Sequence, residues 1–418
     1  MDKLGVNLEE ESSRLDADGV EPHQTRYRWV MLALVWFLYW AFAVVSRSIA
    51  PLVTPIMQDL RISYSQMGII LGAWPLTYAA VATVGGAIID RWGIRKSLFV
   101  GIVIIGLSAI LRYFANGFVS MFLFVAVFGL GGPMISIGLP KTVAEWFKGK
   151  ERGTAVGVYM TALWIGGITA YSATNSVVMP LAGYSWRLTF VYVSLLPFAA
   201  ALLWWFLSRD IRPVKASGST SIIKVFKGLI SVRSVQLILT MGFLSMVVVH
   251  GFNDWLPKIL ETGGLPPVVA GFAASIPLFL AIPAVLVIPR LTPPRLRGRI
   301  IALATLATAM AVLIVATTSG PALIAGLVLY GVSFSLATPL LLLALMDIPE
   351  IGSRYMGSVG GMFFCVAEIG GFGGPFILGA VKDMTGGFLI GAGFLAGMSL
   401  AMSVIALLLR PEDTSYES

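Results

Sequence analysis

The chain has 418 residues, of which 57% are hydrophobic and only 12% are charged. A soluble domain carries about twice that charged fraction, so the composition excludes an ordinary soluble protein and indicates a polytopic membrane protein. The formal net charge of +8 would suggest nucleic acid as a partner of a soluble protein. Here the positive charges fall in the short gaps between apolar segments, which predicts membrane orientation and argues against nucleic-acid binding.

Twelve apolar segments are each long enough to cross a bilayer as a helix. They are predicted at 29–56, 67–89, 97–114, 118–145, 153–178, 188–208, 235–260, 267–290, 300–318, 321–346, 355–381 and 386–409. The longest and most basic gap separates the first six from the last six. The predicted organisation is a disordered cytoplasmic tail (1–28), a six-helix bundle (29–208), a basic cytoplasmic linker (209–234), a second six-helix bundle (235–410) and a cytoplasmic tail (411–418).

The distribution of Lys and Arg predicts how the chain is oriented. With the spans drawn as above, most of the 29 Lys and Arg residues lie on one side. By the positive-inside rule that side is cytoplasmic, and it contains both termini. We expect a multi-pass protein of a prokaryotic cytoplasmic membrane, with few basic residues on the outer side: Arg61, Arg112, Arg187, Lys258 and Lys382.

The short gap after the second span contains a dense motif, GAIIDRWGIRK. A gap this short makes the two flanking helices antiparallel neighbours. Gly86 removes a side chain one turn before Asp90 and so permits close helix approach. We expect Asp90 to face the positive N-terminus of a neighbouring helix, and the basic residues to face water or acidic partners. The conformational motif comprises Gly86, Asp90, Arg91, Gly93 and Arg95.

These residues resemble the loop that follows the second span in the major facilitator superfamily, although Ile94 stands where that family usually has a basic residue. KERGTAVG with WIGG (150–167) and GSRYMGSVGG with EIGG (352–371) open the fifth span of each half and indicate an internal repeat. The resemblance extends over nearly the whole chain. It implies an all-α membrane protein with twelve transmembrane helices in two six-helix bundles, related as repeats.

Ionisable residues at membrane depth are the best candidates for function, because each costs about 2.5–3.5 kcal/mol at a helix centre. Arg47 shares a helical face with Trp36 and Trp40 in the first span. A guanidinium in a wet cavity suits a carboxylate, and the position resembles the span-one arginine of anion-transporting branches such as sugar-acid symporters. The alternatives are a structural ion pair or an arginine that reaches the outer interface.

Lys141 in span four resembles the basic residue that anion:cation symporters carry there. Glu145 follows one turn later, so a local pair with the lysine is an open alternative.

In span seven, His250 and Asp254 lie on one helix face with Asn253 beside them, in a stretch similar to cyanate and nitroimidazole permease-like members. We expect His250 and Asn253 to bind substrate and Asp254 to act in gating or proton coupling. The alternatives are an interfacial Asp254 and a His250 that only hydrogen-bonds a neighbouring helix.

Glu368 lies near the centre of span eleven with no basic residue within one turn. Burial favours its protonated form, which suits a proton carrier, and a static partner of a distant cation is the alternative. Both intramembrane cations lie in the first half and both acids in the second. In the superfamily, spans one and seven meet at the outer gate and spans four and eleven at the inner gate. We therefore expect the pairs Arg47–Asp254 outside and Lys141–Glu368 inside.

The sequence thus predicts a monomeric secondary active transporter of a small organic anion by alternating access, with proton symport. Anion exchange and proton-coupled export of neutral or cationic compounds are the alternatives. No catalytic cluster, cofactor motif or metal-ligand spacing is evident, which argues against a membrane-embedded enzyme. The tails are too short for a signalling domain, which argues against a sensor. The expected partners are the anion, protons and the lipid bilayer.

Overall fold

The computed structural model describes residues 22–209, 232–348 and 352–409, apart from the side chains of residues 22–25, 83, 84, 87, 90, 150 and 352–358. Most of the predicted tail 1–28, most of the linker 209–234 and the tail 411–418 lie outside the described residues. Within the described ranges the chain forms helices and connecting turns, with no strand.

The helices of the first half follow the predicted spans. They are α1 (Pro22–Arg47), α2 (Val53–Leu60), α3 (Tyr64–Trp92), α4 (Ile94–Leu111), α5 (Phe118–Trp146), α6 (Gly149–Ala173) and α7 (Trp186–Leu207). Those of the second half are α8 (Arg233–Asn253), α9 (Leu256–Thr262), α10 (Pro267–Leu291), α11 (Arg297–Thr317), α12 (Gly320–Phe334), α13 (Ala337–Met346), α14 (Gly352–Thr385) and α15 (Leu389–Leu407).

The two halves pack by the same scheme. In the first half α1 packs on α6 and α7, α3 on α5, and α4 on α5 and α7. In the second half α8 packs on α14 and α15, α10 on α12, and α11 on α12 and α15. Each contact of one half therefore has its counterpart six spans later. Between the halves, α3 packs along α14 and α6 along α10.

By length and composition alone, 11 helical segments of the described chain could cross a membrane. The predicted span 67–89 is not among them, but it lies within α3, a helix of 29 residues. The expected all-α fold of two helix bundles is confirmed, and the protein is a multi-pass membrane protein.

Three predicted spans are broken where the sequence analysis expected continuous helices: 321–346 is divided between α12 and α13, and the other two breaks end α1 and α8. The span 29–56 ends as a helix at Arg47 and resumes after a 3-10 turn, and the span 235–260 ends at Asn253. The cause is proline in both cases. Pro51 and Pro257 each lack the N–H that would bond the carbonyl group four residues earlier, which belongs to Arg47 and Asn253 respectively.

The end of α1 is held by a buried arginine. Arg112, which follows α4, is 1% exposed. Its Nη1 donates to the carbonyl oxygen of Val45 (3.4 Å), its Nη2 to the hydroxyl of Ser108 (3.2 Å), and its guanidinium lies 5.1 Å from the centroid of the Phe190 ring. The C-termini of α1 and α4 both face this cation, so their helix dipoles stabilise its charge.

The halves contact each other along the bundle, and the contact between α3 and α14 is closest at one end. Following the orientation predicted from the basic residues, we call the end with residues 48–66 and 376–388 the outer end, and the end with residues 92–94 and 291–297 the inner end. At the outer end the backbones of α3 and α14 are so close that a Cβ at Gly68 would overlap the carbonyl oxygen of Pro375. Towards the inner end, a Cβ at Gly86 would meet none of the described atoms within 4 Å.

The close approach at Gly68 gives a prediction about conformation. We expect Gly68→Leu to hold the outer ends of α3 and α14 apart, because overpacking at a tight contact costs about 1–3 kcal/mol. The inner ends then close around Cys365, whose thiol contacts the Ala79 carbonyl oxygen (3.5 Å) on the same seam. Slower maleimide labelling of Cys365, the sole cysteine of the sequence, is the expected result.

The matched control is Gly393→Leu, because a Cβ at Gly393 meets no described atom within 4 Å. We expect wild-type labelling there. Equal labelling rates in both variants would contradict a closed outer seam at Gly68.

Candidate functional site

An ion pair joins the two halves at the broken helix ends. Arg47 Nη1 lies 2.6 Å from Asp254 Oδ1, and the two side chains are 20% and 7% exposed. Arg47 is the last residue of α1, and Asp254 directly follows α8. The expected contact between these residues is thus present, and it must break if the halves separate at this end.

The ion pair continues inwards through a histidine. His250 Nδ1 lies 3.2 Å from Asp254 Oδ2, and His250 Nε2 lies 3.6 Å from Glu368 Oε2 on α14. The second distance exceeds a normal hydrogen bond, but it places the ring and the carboxyl group next to each other. Arg47, Asp254, His250 and Glu368 therefore form one continuous row, which we call the ionic row.

Several buried polar atoms beside the ionic row have no hydrogen-bond partner among the described residues. They are Glu368 Oε2, both amide atoms of Asn253 and the hydroxyl of Tyr330, the last two groups lying within reach of each other. Asn253 and Tyr330 are at most 1% exposed. Unpaired buried polar groups are costly, so a cluster of them beside an ion pair indicates a place for a polar ligand.

Tyr171 and Tyr330 are site residues that the sequence analysis missed. The Tyr171 hydroxyl donates to the backbone carbonyl of Asn253 (2.8 Å), the carbonyl that Pro257 leaves free. Both tyrosines lie within electrostatic range of Arg47 and Asp254. The sequence does contain a signal for these two residues. A tyrosine inside an apolar span has a hydroxyl group that needs a hydrogen-bond partner when it is buried.

Trp36 and Trp40 lie on the predicted face of α1, with ring centroids 6.3 Å apart and nearly parallel. Their indole N–H groups donate to Thr161 (3.0 Å) and Thr169 (3.2 Å) of α6. Since these donors are engaged within the first half, only the half-buried ring faces remain for contact with a substrate.

The structure does not place Lys141 in the expected pair with Glu368. Lys141 is exposed near the inner end of α5, one turn from the exposed Glu145, whereas Glu368 is buried near the middle of α14. The neighbour of Glu368 is His250, on the same half. A sequence cannot fix the depth of two residues on separate helices.

The conformational motif lies where α3 turns into α4. Gly93 connects them at φ +81°, a conformation that favours glycine. Arg95 Nη2 donates to the Trp205 carbonyl oxygen (2.5 Å), and the Arg95 carbonyl accepts from the Trp204 indole (2.9 Å), which ties α4 to α7. Arg91 is exposed. The side chain of Asp90 lies outside the described part, so its expected contact stays a prediction, as does the role of Gly86.

Two further contacts close the outer end. The Asp383 carboxylate accepts from the backbone N–H groups of Tyr64 (3.0 Å) and Ser65 (2.6 Å) in the first turn of α3. The hydroxyl of Thr54 on α2 donates to Glu261 on α9 (2.5 Å) and accepts from Lys258 Nζ (2.7 Å). Like the ion pair, both contacts run between the halves.

Comparison with known proteins agrees with this architecture. The model of the Major Facilitator Superfamily matches residues 35–375. The chain therefore belongs to the Major Facilitator Superfamily, and it is a transporter, not an enzyme.

Among its relatives, a hexuronate transporter of Bacillus subtilis (strain 168) is 26% identical over 93% of this chain and 98% of that protein. A hexuronate transporter of Escherichia coli (strain K12) is 30% identical over 42% of this chain and 40% of that protein. The fold is similar to the crystal structure of a bacterial homolog of the human lysosomal transporter Spinster in an inward-facing, unoccupied conformation. Its TM-score is 0.68 at 16% identity, covering 93% of this chain and 96% of that one.

The burial of the ion pair predicts a measurable cost of removing one partner. We expect Asp254→Asn to lower the free energy of unfolding in detergent by about 3–5 kcal/mol, because Arg47 keeps a charge without its counter-charge. The double variant Arg47→Gln with Asp254→Asn should recover most of that loss.

The control is Asp59→Asn, which removes the acid from the more exposed Arg187–Asp59 pair within the first half. We expect a loss of less than about 1 kcal/mol there. An Asp254→Asn variant as stable as Asp59→Asn would show that the Arg47 charge is not buried by the contact.

Proposed function

We propose that this protein is a secondary active transporter of a small organic anion, working by alternating access with proton symport. The observation that carries the proposal is Arg47, a membrane-embedded guanidinium at the seam between the halves, paired with a carboxylate that a substrate carboxylate can replace. Arginine suits this exchange because its planar fork binds any carboxylate in two parallel hydrogen bonds.

The surroundings of Arg47 favour a sugar acid as the substrate. The Asn253 amide supplies both a donor and an acceptor, and the Tyr330 hydroxyl supplies either, for the hydroxyl groups of a bound sugar. The half-buried rings of Trp36 and Trp40 offer flat apolar faces of the kind that sugar rings pack against. The hexuronate transporters among the relatives support the same class.

The contacts between the halves support alternating access. The outer end is closed by the ion pair, by the Asp383 cap on α3 and by the Thr54–Glu261 hydrogen bond. Towards the inner end, a Cβ at Gly86 of α3 would meet none of the described atoms within 4 Å. Transport then consists of breaking these outer contacts and forming new ones at the inner end, so that the site faces each side in turn.

Glu368 is the group that we assign to proton coupling. It is buried, faces the seam and carries an oxygen without a hydrogen-bond partner in the described chain. A buried carboxyl group at the seam can exchange a proton with water whenever its site opens to one side.

The anion assignment is tested by uptake of glucuronate and galacturonate into proteoliposomes. We expect Arg47→Lys to raise KM about tenfold or more, because the ammonium group cannot form the bidentate contact. The control Arg187→Lys, at a guanidinium that contacts the first half alone, should keep the wild-type KM. Saturable wild-type uptake of only neutral or cationic compounds would reject the proposal.

The proton assignment is tested with Glu368→Gln, which keeps the shape of the side chain and removes its proton exchange. We expect the dependence of uptake on external pH to change, because a group that exchanges a proton next to His250 is lost. The control Glu151→Gln, at an exposed pair with Arg28, should keep the wild-type dependence. An unchanged pH dependence in Glu368→Gln would remove this residue from the coupling role.

A further inference from the structure

The position of His250 between two carboxyl groups assigns it a role that its place in the sequence does not reveal. Its Nδ1 faces Asp254 and its Nε2 faces Glu368, and the side chain is 4% exposed. Both ring nitrogens are therefore directed at acids of the protein itself. A residue arranged in this way is a poor ligand for an anionic substrate and a good carrier of a proton.

We propose that His250 couples substrate to proton: the substrate carboxylate takes Arg47 from Asp254, and the released Asp254 then holds a proton on His250. This inference rests on the proposed function and adds to it the residue that links the two ions. His250 senses the state of Arg47 through Asp254, whose Oδ1 faces Arg47 and whose Oδ2 faces His250.

The charges of the ionic row show why the two events are linked. Without substrate, Arg47 and Asp254 cancel, and one proton shared by His250 and Glu368 leaves that pair neutral as well. A bound monocarboxylate on Arg47 adds one negative charge and leaves Asp254 without its cation. One more proton restores neutrality: the substrate lies on Arg47, Asp254 faces a protonated His250, and Glu368 is protonated and neutral.

The interior of the membrane makes the intermediate states expensive. An unpaired charge at this depth costs several kcal/mol, so the row avoids carrying the anion without the proton, or the proton without the anion. Both ions then bind together or not at all. The resulting movement is electroneutral, with one proton for each monocarboxylate.

Two other charged groups of the described chain lie beside the ends of α1 and α8: the buried Arg112, which bonds Val45 and Ser108, and the Lys258–Glu261 pair, which balances its own charge. The helix α15, which also packs on α8, contains no ionisable residue. The remaining titratable side chains around the row are four phenols and one thiol, which are neutral near pH 7. They are Tyr39 on α1, Tyr78 on α3, Tyr171 on α6, Tyr330 on α12 and Cys365 on α14.

The packing around His250 keeps its ring against both acids. A Cβ at Gly371 would lie 2.8 Å from Glu368 Oε2 and 3.0 Å from His250 Cδ2, so only glycine leaves room for the pair. On the other side, the edge of Trp74 packs on the imidazole with ring centroids 5.3 Å apart. The ring is therefore fixed by α3 and α14 together.

The test uses full-length protein in proteoliposomes with glucuronate. In the wild type, a pH difference of about one unit should drive accumulation of about tenfold. Symport of one proton with each substrate anion converts a tenfold proton gradient into a substrate gradient of the same size. A membrane potential alone should drive none. In His250→Gln, we expect accumulation to fall to equilibration, while counterflow exchange of labelled for unlabelled glucuronate falls by much less.

Asp59→Asn serves as the control, with accumulation and exchange both at wild-type levels. If His250→Gln accumulates glucuronate with the wild-type proton ratio, the inference is overturned. If that variant does not fold, the wild-type measurement decides: a ratio other than one proton per glucuronate, or a transport current, overturns it. Absence of any saturable glucuronate or galacturonate exchange in the wild type would instead reject the proposed function.

Discussion

The structure depends on the contact between Arg47 and Asp254, because it places a full positive charge at membrane depth and neutralises it from the other half of the chain. In the assembled bundle a buried charge is costly without a counter-charge or oriented dipoles, and Arg47 receives a counter-charge. Since the partner lies across the seam along which the halves move, one interaction both stabilises the closed outer end and occupies the group best suited to bind an anion. The stability of the closed outer end and the binding of an anion at Arg47 therefore cannot be varied separately.

The backbone around the ion pair is arranged by two prolines at equivalent places in the two halves. Pro51 and Pro257 end α1 and α8 and leave free carbonyl groups close to the charged side chains. Tyr171 donates to the free carbonyl of Asn253, and Arg112 donates to the carbonyl of Val45, two residues before Arg47. The polar character of the site thus comes from the backbone carbonyl groups of broken helices as much as from its ionisable side chains.

Much of the fold was predictable, because span length, apolar runs and the distribution of basic residues each act locally along the chain. The contact between Arg47 and Asp254 was predictable from the charge distribution over the two halves combined with the family resemblance. The sequence analysis did not predict the helix breaks, because Pro51 and Pro257 alone do not require them. A proline within an apolar run can also lie inside a continuous helix, as Pro75 does in α3. The proximity of His250 to Glu368 depends on the rotation of α8 against α14, which no single-sequence pattern encodes.

The location of Arg47 at the very end of α1 has a consequence for how the protein is made. The chain enters the membrane from its N-terminus, so α1 is inserted long before Asp254 has been synthesised. During that time the arginine has no acid to meet, but as the final residue of its helix it can extend its guanidinium to the lipid headgroups. The same arginine one or two turns earlier would be stranded in hydrocarbon until the second half arrived.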